Sequence, residues 1–241
     1  MEKVNVICMK WGKPFPSYYV NRLHNMVKRN LTLPFNFVCF TDDPEGIDPE
    51  IITAPIPEVN VPPANQYSPW RKLASYQENL GGLSGKTMFL DLDNIIVDNI
   101  DCFFDYTDKF AIIENWTQLG RGIGNSSVYV YEIGKYKDLL EGFNNDPHKV
   151  VDLYDNEQIY VTKTLGTEKI EFFPETWCRS FKRHSVAGRI GRFFIEPKLP
   201  EGVKILSFHG HPRPHEALEG RWPGKLIPLL KKPAWLSEYW R

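Results

Sequence analysis

The chain is short of several things that would narrow its class at once. Its 241 residues hold only four cysteines, Cys8, Cys39, Cys102 and Cys178, with no C-x-x-C pair. This excludes a paired-cysteine zinc site and a scaffold built on disulfides. Cys8 and Cys39 fall inside apolar runs, where a free thiol acts as a small hydrophobe, so a reducing compartment is expected. The formal net charge is only -1, which points neither to nucleic acid nor to an acidic tail. No apolar stretch is long enough to span a bilayer, and MEKVNVICMKWG lacks the apolar core of a signal peptide. A soluble cytoplasmic protein is expected, or one resting on the inner face of a membrane. Internal repeats and low-complexity tracts are lacking too.

With 42% hydrophobic residues, the chain suffices for one cored domain, or one domain with a small appendage. The stretch that organises it is MFLDLDNIIVDNI, Met88 to Ile100. An apolar run ends in Asp91 and Asp93, and a second run, Ile95 to Val97, follows. The first run reads as a buried strand. Carboxylates at its end are costly to bury unless a positive group meets them. Side chains at i and i+2 of a strand share a face, so the two aspartates are expected to converge on a hard divalent cation. A solvated turn after a strand is the plain alternative.

Ahead of this stretch the pattern is strand, helix, strand. Val4 to Met9 is a strand, Ser17 caps a helix with Tyr19, Val20, Leu23, Met26 and Val27 on one face, and Phe37 to Phe40 is a strand. Such a start favours a parallel sheet with ligands at the strand ends. Asp48 to Asn65 reads as an extended loop. Ser68-Pro69 opens a helix that Gly81-Gly82 ends. Arg71 and Lys72 in its first turns oppose the helix dipole and hint at an anionic partner.

Beyond the aspartates, Phe110 to Ile113 is a strand. GRGIGNSSVYVY, from Gly120, resembles a nucleotide fingerprint, but a strand follows instead of a helix, so a flexible ligand-approaching loop is the better reading. Gly134 to Phe143 is a helix. Asp155-Asn156-Glu157-Gln158 opens another, with Asp155 and Gln158 fitting a capping box. Ile170 to Phe173 is a strand. Ser180 to Phe194 gathers Lys182, Arg183, His184, Arg189 and Arg192, a solvated loop or a lid over an anionic substrate. Val203 to Phe208 is the last strand, leading into HGHPRPH. Trp222 to Arg241 interleaves aromatics with lysines, which suits an interfacial membrane contact and, equally, a terminal segment packed on the core.

Several of these stretches stand in the order of a known group. RKLASYQ…GKTMFLDLDNIIVDNIDCFF, GNSSVYVY, DNEQ and KILSFHGHPRP together resemble the glycogenin and lipooligosaccharide galactosyltransferases, family 8-like enzymes of GT-A fold. The likeness is scattered from Val4 to about Pro214. It implies an α/β protein whose mixed, mostly parallel sheet is flanked by helices, with residues 1–215 as the catalytic domain and 216–241 as an appendage that contacts membrane or partner. It implies hexose transfer from a nucleotide-diphosphate sugar, UDP-linked, to a glycan, lipid-linked or protein acceptor, with retention of configuration. Asp91 and Asp93 would hold Mn²⁺ or Mg²⁺. Lys72 would contact the donor, Asn125 the donor sugar, and Glu157 and Gln158 the reacting carbon. The closing motif departs from the pattern. Strict alignment puts Ser207 where the family has its metal histidine, and His209, two residues on, is taken as third ligand. Arg213 would bind phosphate, and His211 is the fallback ligand. Asn125-Ser126-Ser127 also lacks the family's glycine.

Glycosyl transfer needs a stabilised diphosphate leaving group, which a divalent cation, Lys72 and Arg213 would supply. A nearby carboxylate or amide oxygen eases an oxocarbenium-like carbon, with Glu157, Asp155 and Gln158 as candidates. Lys10, Trp11 and Tyr18 follow the first strand, where this fold places the nucleobase. Three other readings compete. A haloacid dehalogenase-type phosphatase would use Asp91 as nucleophile, though its aspartates usually lie on the first strand. A non-catalytic module would bind nucleotide sugar without turning it over. A metal site from His209, His211 and His215 is opposed by Pro212 and Pro214.

Overall fold

The computed structural model describes residues 3–241. The chain forms two compact units. The first takes the residues up to Val20, Leu33–Leu92 and Cys102–Phe173; the second takes Asn21–Thr32, Asp93–Asp101 and Pro174–Arg241.

The first unit is built on a seven-stranded sheet. Its strands are β1 (Val4–Lys10), β2 (Phe35–Thr41), β3 (Ile52–Ala54), β4 (Lys86–Leu90), β6 (Phe110–Glu114), β7 (Gly124–Glu132) and β8 (Ile170–Phe172). Their order across the sheet is β3-β2-β1-β4-β7-β6-β8. Strands β1 to β4 are mutually parallel, and β7 alone runs against its neighbours β4 and β6. The chain leaves β1 for β2 on one side and returns to β4 on the other. The sheet therefore switches direction between β1 and β4, where open α/β sheets take ligands. Strand β1 shows Val6, Ile7 and Cys8 all fully buried, as a parallel strand covered on both faces must be. Cys8 lies beside Cys39 across the β1–β2 ladder.

Helix α1 (Tyr18–Asn30) follows β1, and its expected face, Tyr19, Val20, Leu23, Met26 and Val27, is wholly buried. Helices α2 (Asp138–Asn145), α3 (Pro147–Leu153) and α4 (Glu157–Leu165) come after β7. The expected helix from Gly134 starts four residues late, at Asp138. Two further expectations are corrected. Residues 48–65 are not all loop, because Ile52–Ala54 adds strand β3 beside β2. The segment expected as a helix up to Gly81 is a 3₁₀ helix over Pro69–Tyr76, and Ser68 makes no side-chain cap. Its side chains explain why it does not wind on. The Ser75 hydroxyl donates to the Lys72 carbonyl at 2.8 Å, and the buried Tyr131 hydroxyl donates to the Ser75 carbonyl at 2.6 Å. Side-chain bonds of this kind replace the ladder of an α-helix. Below it lies an aromatic layer, with Phe89 and Tyr129 stacked at 4.7 Å.

The second unit carries a three-stranded sheet, β5 (Asn94–Ile96), β10 (Ile205–Ser207) and β9 (Cys178–Ser180), in the order β5-β10-β9. Strand β10 pairs antiparallel with β5 and parallel with β9. A π-helical turn over Phe181–Ser185 and the short helices α5 (Gly188–Gly191), α6 (Pro214–Leu218) and α7 (Leu236–Tyr239) complete it. The basic segment from Ser180 is thus largely structured rather than loop. Among the described residues no helix is long and apolar enough to cross a membrane.

Candidate active site

In the first unit the parallel strands β1 and β4 end side by side, with Ile7 opposite Phe89. Two groups of polar residues stand at that edge. After β1, Lys10 is buried and donates to the Asp43 carbonyl at 2.8 Å and its carboxylate at 3.3 Å. The Asp43 carboxyl is held below the usual carboxylate range, first by the Glu45 N–H and then by Lys10. The Gly12 N–H donates to Asp42 at 3.1 Å. Trp11 is half-buried and its indole donates to the Tyr67 carbonyl at 3.3 Å. Tyr18 is 38% exposed, whereas Tyr19 is fully buried. Lys10 and the aspartates after β2 are therefore tied into one loop system, with Trp11 and Tyr18 as its accessible aromatic surfaces.

After β4 stands the second group. Lys72 is buried, not a surface lysine, and its ammonium lies 2.7 Å from the Asp91 carboxylate and 4.0 Å from Glu157. It also donates to the Ser126 carbonyl at 3.3 Å. Glu157 is 3% exposed and accepts a short hydrogen bond from the Ser126 hydroxyl. The Gln158 side-chain oxygen accepts the Ser126 N–H at 3.2 Å. Two carboxylates thus share one ammonium, a negative excess in a low-dielectric setting. Burial raises the Asp91 carboxyl, Lys72 opposes this, and Glu157 adds to it. Asp91 keeps a quarter of its side chain open, at 26%. Asn125 is half-buried and accepts the Ser127 N–H at 3.0 Å.

Local sequence explains how α4 reaches this group. Asn156 is its N-cap, accepting the Ile159 N–H at 3.1 Å. The cap expected from Asp155 and Gln158 is corrected accordingly: Asp155 stands exposed one residue earlier, and Gln158 turns to Ser126. Gly124 allows the close approach. A Cβ there would meet Ile112 at 2.6 Å and Thr162 at 2.8 Å. The expected flexible loop before Asn125 is in this respect a packing contact within β7. Ser126 and Gly124 were not among the residues singled out from sequence, although both adjoin Asn125 in the motif that was.

Asp93 belongs to the second unit. Asp91 to Asp93 forms a turn and not a strand, so strand alternation does not orient the two aspartates. Nor does β10 reach His209, since it ends at Ser207. Ser207 is fully buried and its hydroxyl donates to Asn94 at 2.6 Å, so this position serves the sheet. The Phe208 N–H donates to the Asp93 carbonyl at 3.3 Å, which puts Asp93 beside the start of the HGHPRP segment. Phe208 stacks on Phe181 at 4.2 Å, and the His209 carbonyl accepts from Lys182. The His209 Nε2 lies 2.7 Å from the Ser180 hydroxyl. Burial, then Lys182 and Arg183, holds His209 down to about 4, so its ring is neutral near pH 7. His211 is turned to Glu216, with Nδ1 2.8 Å from the carboxylate, and the Arg213 N–H donates to the same carboxylate at 2.7 Å. These residues brace the start of α6.

Among the described residues no three of His, Cys, Asp or Glu form a ready metal cage. The second unit does offer a hard oxygen donor in Asp93 and a neutral imidazole in His209. These are donor types that Mn²⁺ accepts. In the tautomer with Nε2–H donating to Ser180, Nδ1 is the basic nitrogen, and Ser180 orients the ring.

No family model and no curated protein matches the sequence. Solved structures do match the fold. The galactosyltransferase LgtC, in complex with donor and acceptor sugar analogues, aligns with a TM-score of 0.56 at 13% identity over 87% of this chain and 88% of that one. The apo glycosyltransferase GlyE of Streptococcus pneumoniae TIGR4 aligns with a TM-score of 0.59 at 12% identity, over 99% of this chain and 60% of that chain. The apo bifunctional glycosyltransferase WbbM gives 0.61 at 12% identity, over 88% of this chain and 46% of that one. The chain therefore spans less than two thirds of GlyE and less than half of WbbM. The likeness is one of fold: a mixed α/β sheet, mostly parallel and flanked by helices.

Proposed function

We propose that the chain, folded as these glycosyltransferases are, is itself a glycosyltransferase. It moves a hexose from a nucleotide-diphosphate sugar, UDP-linked, to an acceptor hydroxyl, with a divalent cation. The observation that carries this reading is the buried Lys72–Asp91–Glu157–Ser126 cluster just past β4, at the switch point of the sheet. In the reaction the bond from the anomeric carbon to the diphosphate oxygen breaks, and the acceptor oxygen bonds to that carbon as its proton passes to the departing diphosphate. The charge that builds on the diphosphate is the main electrostatic demand.

Each residue has a role in this reading. Asp93 and His209 would hold Mn²⁺ or Mg²⁺; Asp91, two residues from Asp93 in the chain, is nominated with them by sequence alone. The cation, when bound, neutralises the leaving diphosphate. Lys72 is too deeply paired to move freely, so it fixes Asp91 and Glu157. Glu157 is a positioning residue, because its burial keeps it from substrate. Gln158 and Asn125 are the partly open groups assigned to the donor sugar, and their oxygens ease positive charge on its carbon. Asp155 is exposed beside them. Trp11 and Tyr18 offer stacking surfaces for the nucleobase, with Lys10 bracing their loop. Arg213 and His211 serve phosphate or acceptor beyond His209. Retention of configuration rests on the sequence resemblance alone. The phosphatase alternative expects its aspartates on a first strand, whereas here three strands precede β4.

The test is release of UDP from UDP-glucose and UDP-galactose with Mn²⁺. Hydrolysis or transfer that needs metal, and that falls at least a hundredfold in Asp93→Ala with the fold intact by circular dichroism, is expected. Full activity in that variant, or phosphate release from simple phosphomonoesters instead, would sink the reading.

A further inference from the structure

Two segments that are far apart in sequence meet within the second unit. The basic stretch from Ser180 and the aromatic stretch from Trp222 together line a cavity of about 370 Å³. Lys182, Arg189, Arg192 and Lys225 line it with Trp222 and Leu226, and no carboxylate does. Four cations facing one cavity without an acid repel one another, which an anion relieves.

Arg192 is the fixed member of this set. It is 9% exposed, donates to the Ile227 carbonyl at 2.9 Å and has a carbonyl that accepts the Lys231 N–H at 2.6 Å. Its guanidinium lies 4.6 Å from the Phe193 ring centre and 5.4 Å from that of Trp222. It makes no ion pair among the described residues, and its Nε is buried without an acceptor. A buried charge left this way is costly unless an anion meets it.

The cavity also has an apolar neighbour. A groove of about 650 Å³ shares Phe193 and Ile227 with it and continues along Phe194 and Leu229. Phe194 is 77% exposed and Leu226 fully so. A cationic pocket joined to an open apolar groove matches one chemistry: an anionic head on an apolar chain.

We propose that this pair of cavities binds a single phosphate-headed amphiphile, the head among Arg189, Arg192, Lys182 and Lys225 and the chain along Phe193, Phe194 and Leu229. This binding site does not rest on the function proposed above.

The experiment titrates the full chain, by calorimetry, with octyl phosphate below its micellar range. Inorganic phosphate and octyl glucoside are the separate head and chain controls. Saturable binding at least tenfold tighter than either control is expected. A tenfold loss is expected in Arg189→Gln/Lys225→Gln, where both exposed side chains can be changed without touching the core. Tenfold corresponds to about 1.4 kcal/mol. No saturable binding, or equal affinity in the folded double variant, would overturn the site. So would binding seen only with phosphatidylcholine/phosphatidylglycerol vesicles, which would make the surface a membrane contact instead. Octyl phosphate binding without any turnover of UDP-sugars would defeat the enzymatic reading and leave the site standing. Turnover without octyl phosphate binding would do the reverse.

Discussion

A Cβ placed on Gly124 would lie 2.8 Å from the Thr162 methyl, closer than side chains pack. Strand β7 and helix α4 touch at that point, and the contact sets Glu157 and Gln158 against Ser126. The backbone of Gly124 is not in the left-handed region, so space and not strain makes the position glycine.

Gly124→Ala is therefore expected to destabilise the fold by about 1–3 kcal/mol, the usual cost of overpacking. The shift is read from urea denaturation. Donor turnover should fall with it, as α4 is pushed off Ser126. An unchanged midpoint with unchanged turnover would show that the β7–α4 contact does not position the cluster.

Removing the ammonium that Asp91 and Glu157 share leaves two facing carboxylates. Lys72→Met should cost about 2–4 kcal/mol, toward the low end because Asp91 is partly open to solvent. Asp91→Asn in the same background should recover part of that loss, since one charge of the pair is gone. Denaturation curves of the single and double variants give the coupling. Strict additivity would mean that Lys72 and Asp91 do not share an interaction.

Ser207 and His209 should separate cleanly. Ser207→Ala strands the buried Asn94 oxygen and is expected to cost about 1–2 kcal/mol. It should leave the Mn²⁺ concentration for half-activity unchanged. His209→Ala should raise that concentration at least tenfold. A reversal of the two outcomes would move the metal role from His209 to the position of Ser207.

Stability should fall in mild acid. The His184 ring is held below its usual range, chiefly by burial and Arg179, with Arg183 adding and Glu175 opposing. His209 and His215 are also lowered by burial. Below about pH 6.5 the unfolded chain takes up protons that these rings refuse in the folded state. The stabilisation is complete above that pH and is lost as pH falls toward the folded values. The melting temperature should thus drop between pH 7 and 5, and His184→Gln should flatten the curve. A melting temperature that rises through this range would contradict the burial of these rings.

Much of the architecture was legible in local pattern. The β-branched and aromatic runs marked β1, β2, β4 and β6, and the spacing of Tyr19, Val20, Leu23, Met26 and Val27 gave the buried face of α1. The D-x-D, N-S-S, DNEQ and HGHPRP stretches carried the fold resemblance. What failed was governed by contacts distant in sequence. Strand β3 is three residues long and owes its existence to β2. The 3₁₀ helix is held by Tyr131, 56 residues from Ser75. The reading of Lys72 as a cation awaiting an anionic partner could not anticipate that Asp91 and Glu157 of the chain itself surround it.

The sequence by itself nominated the residues proposed to carry the chemistry, because acid, base and aromatic types at fixed spacing are written in the chain. It also set the periodicities that bury one face of each element. Only the tertiary structure decided which of those groups are buried, which are paired and which stay open. It buried Glu157, left Asp91 partly accessible, gave Ser207 to the sheet and joined the basic and aromatic segments around one cavity. The reason is physical. Burial and pairing depend on what the rest of the chain brings within a few ångströms, and a one-dimensional pattern does not hold that information.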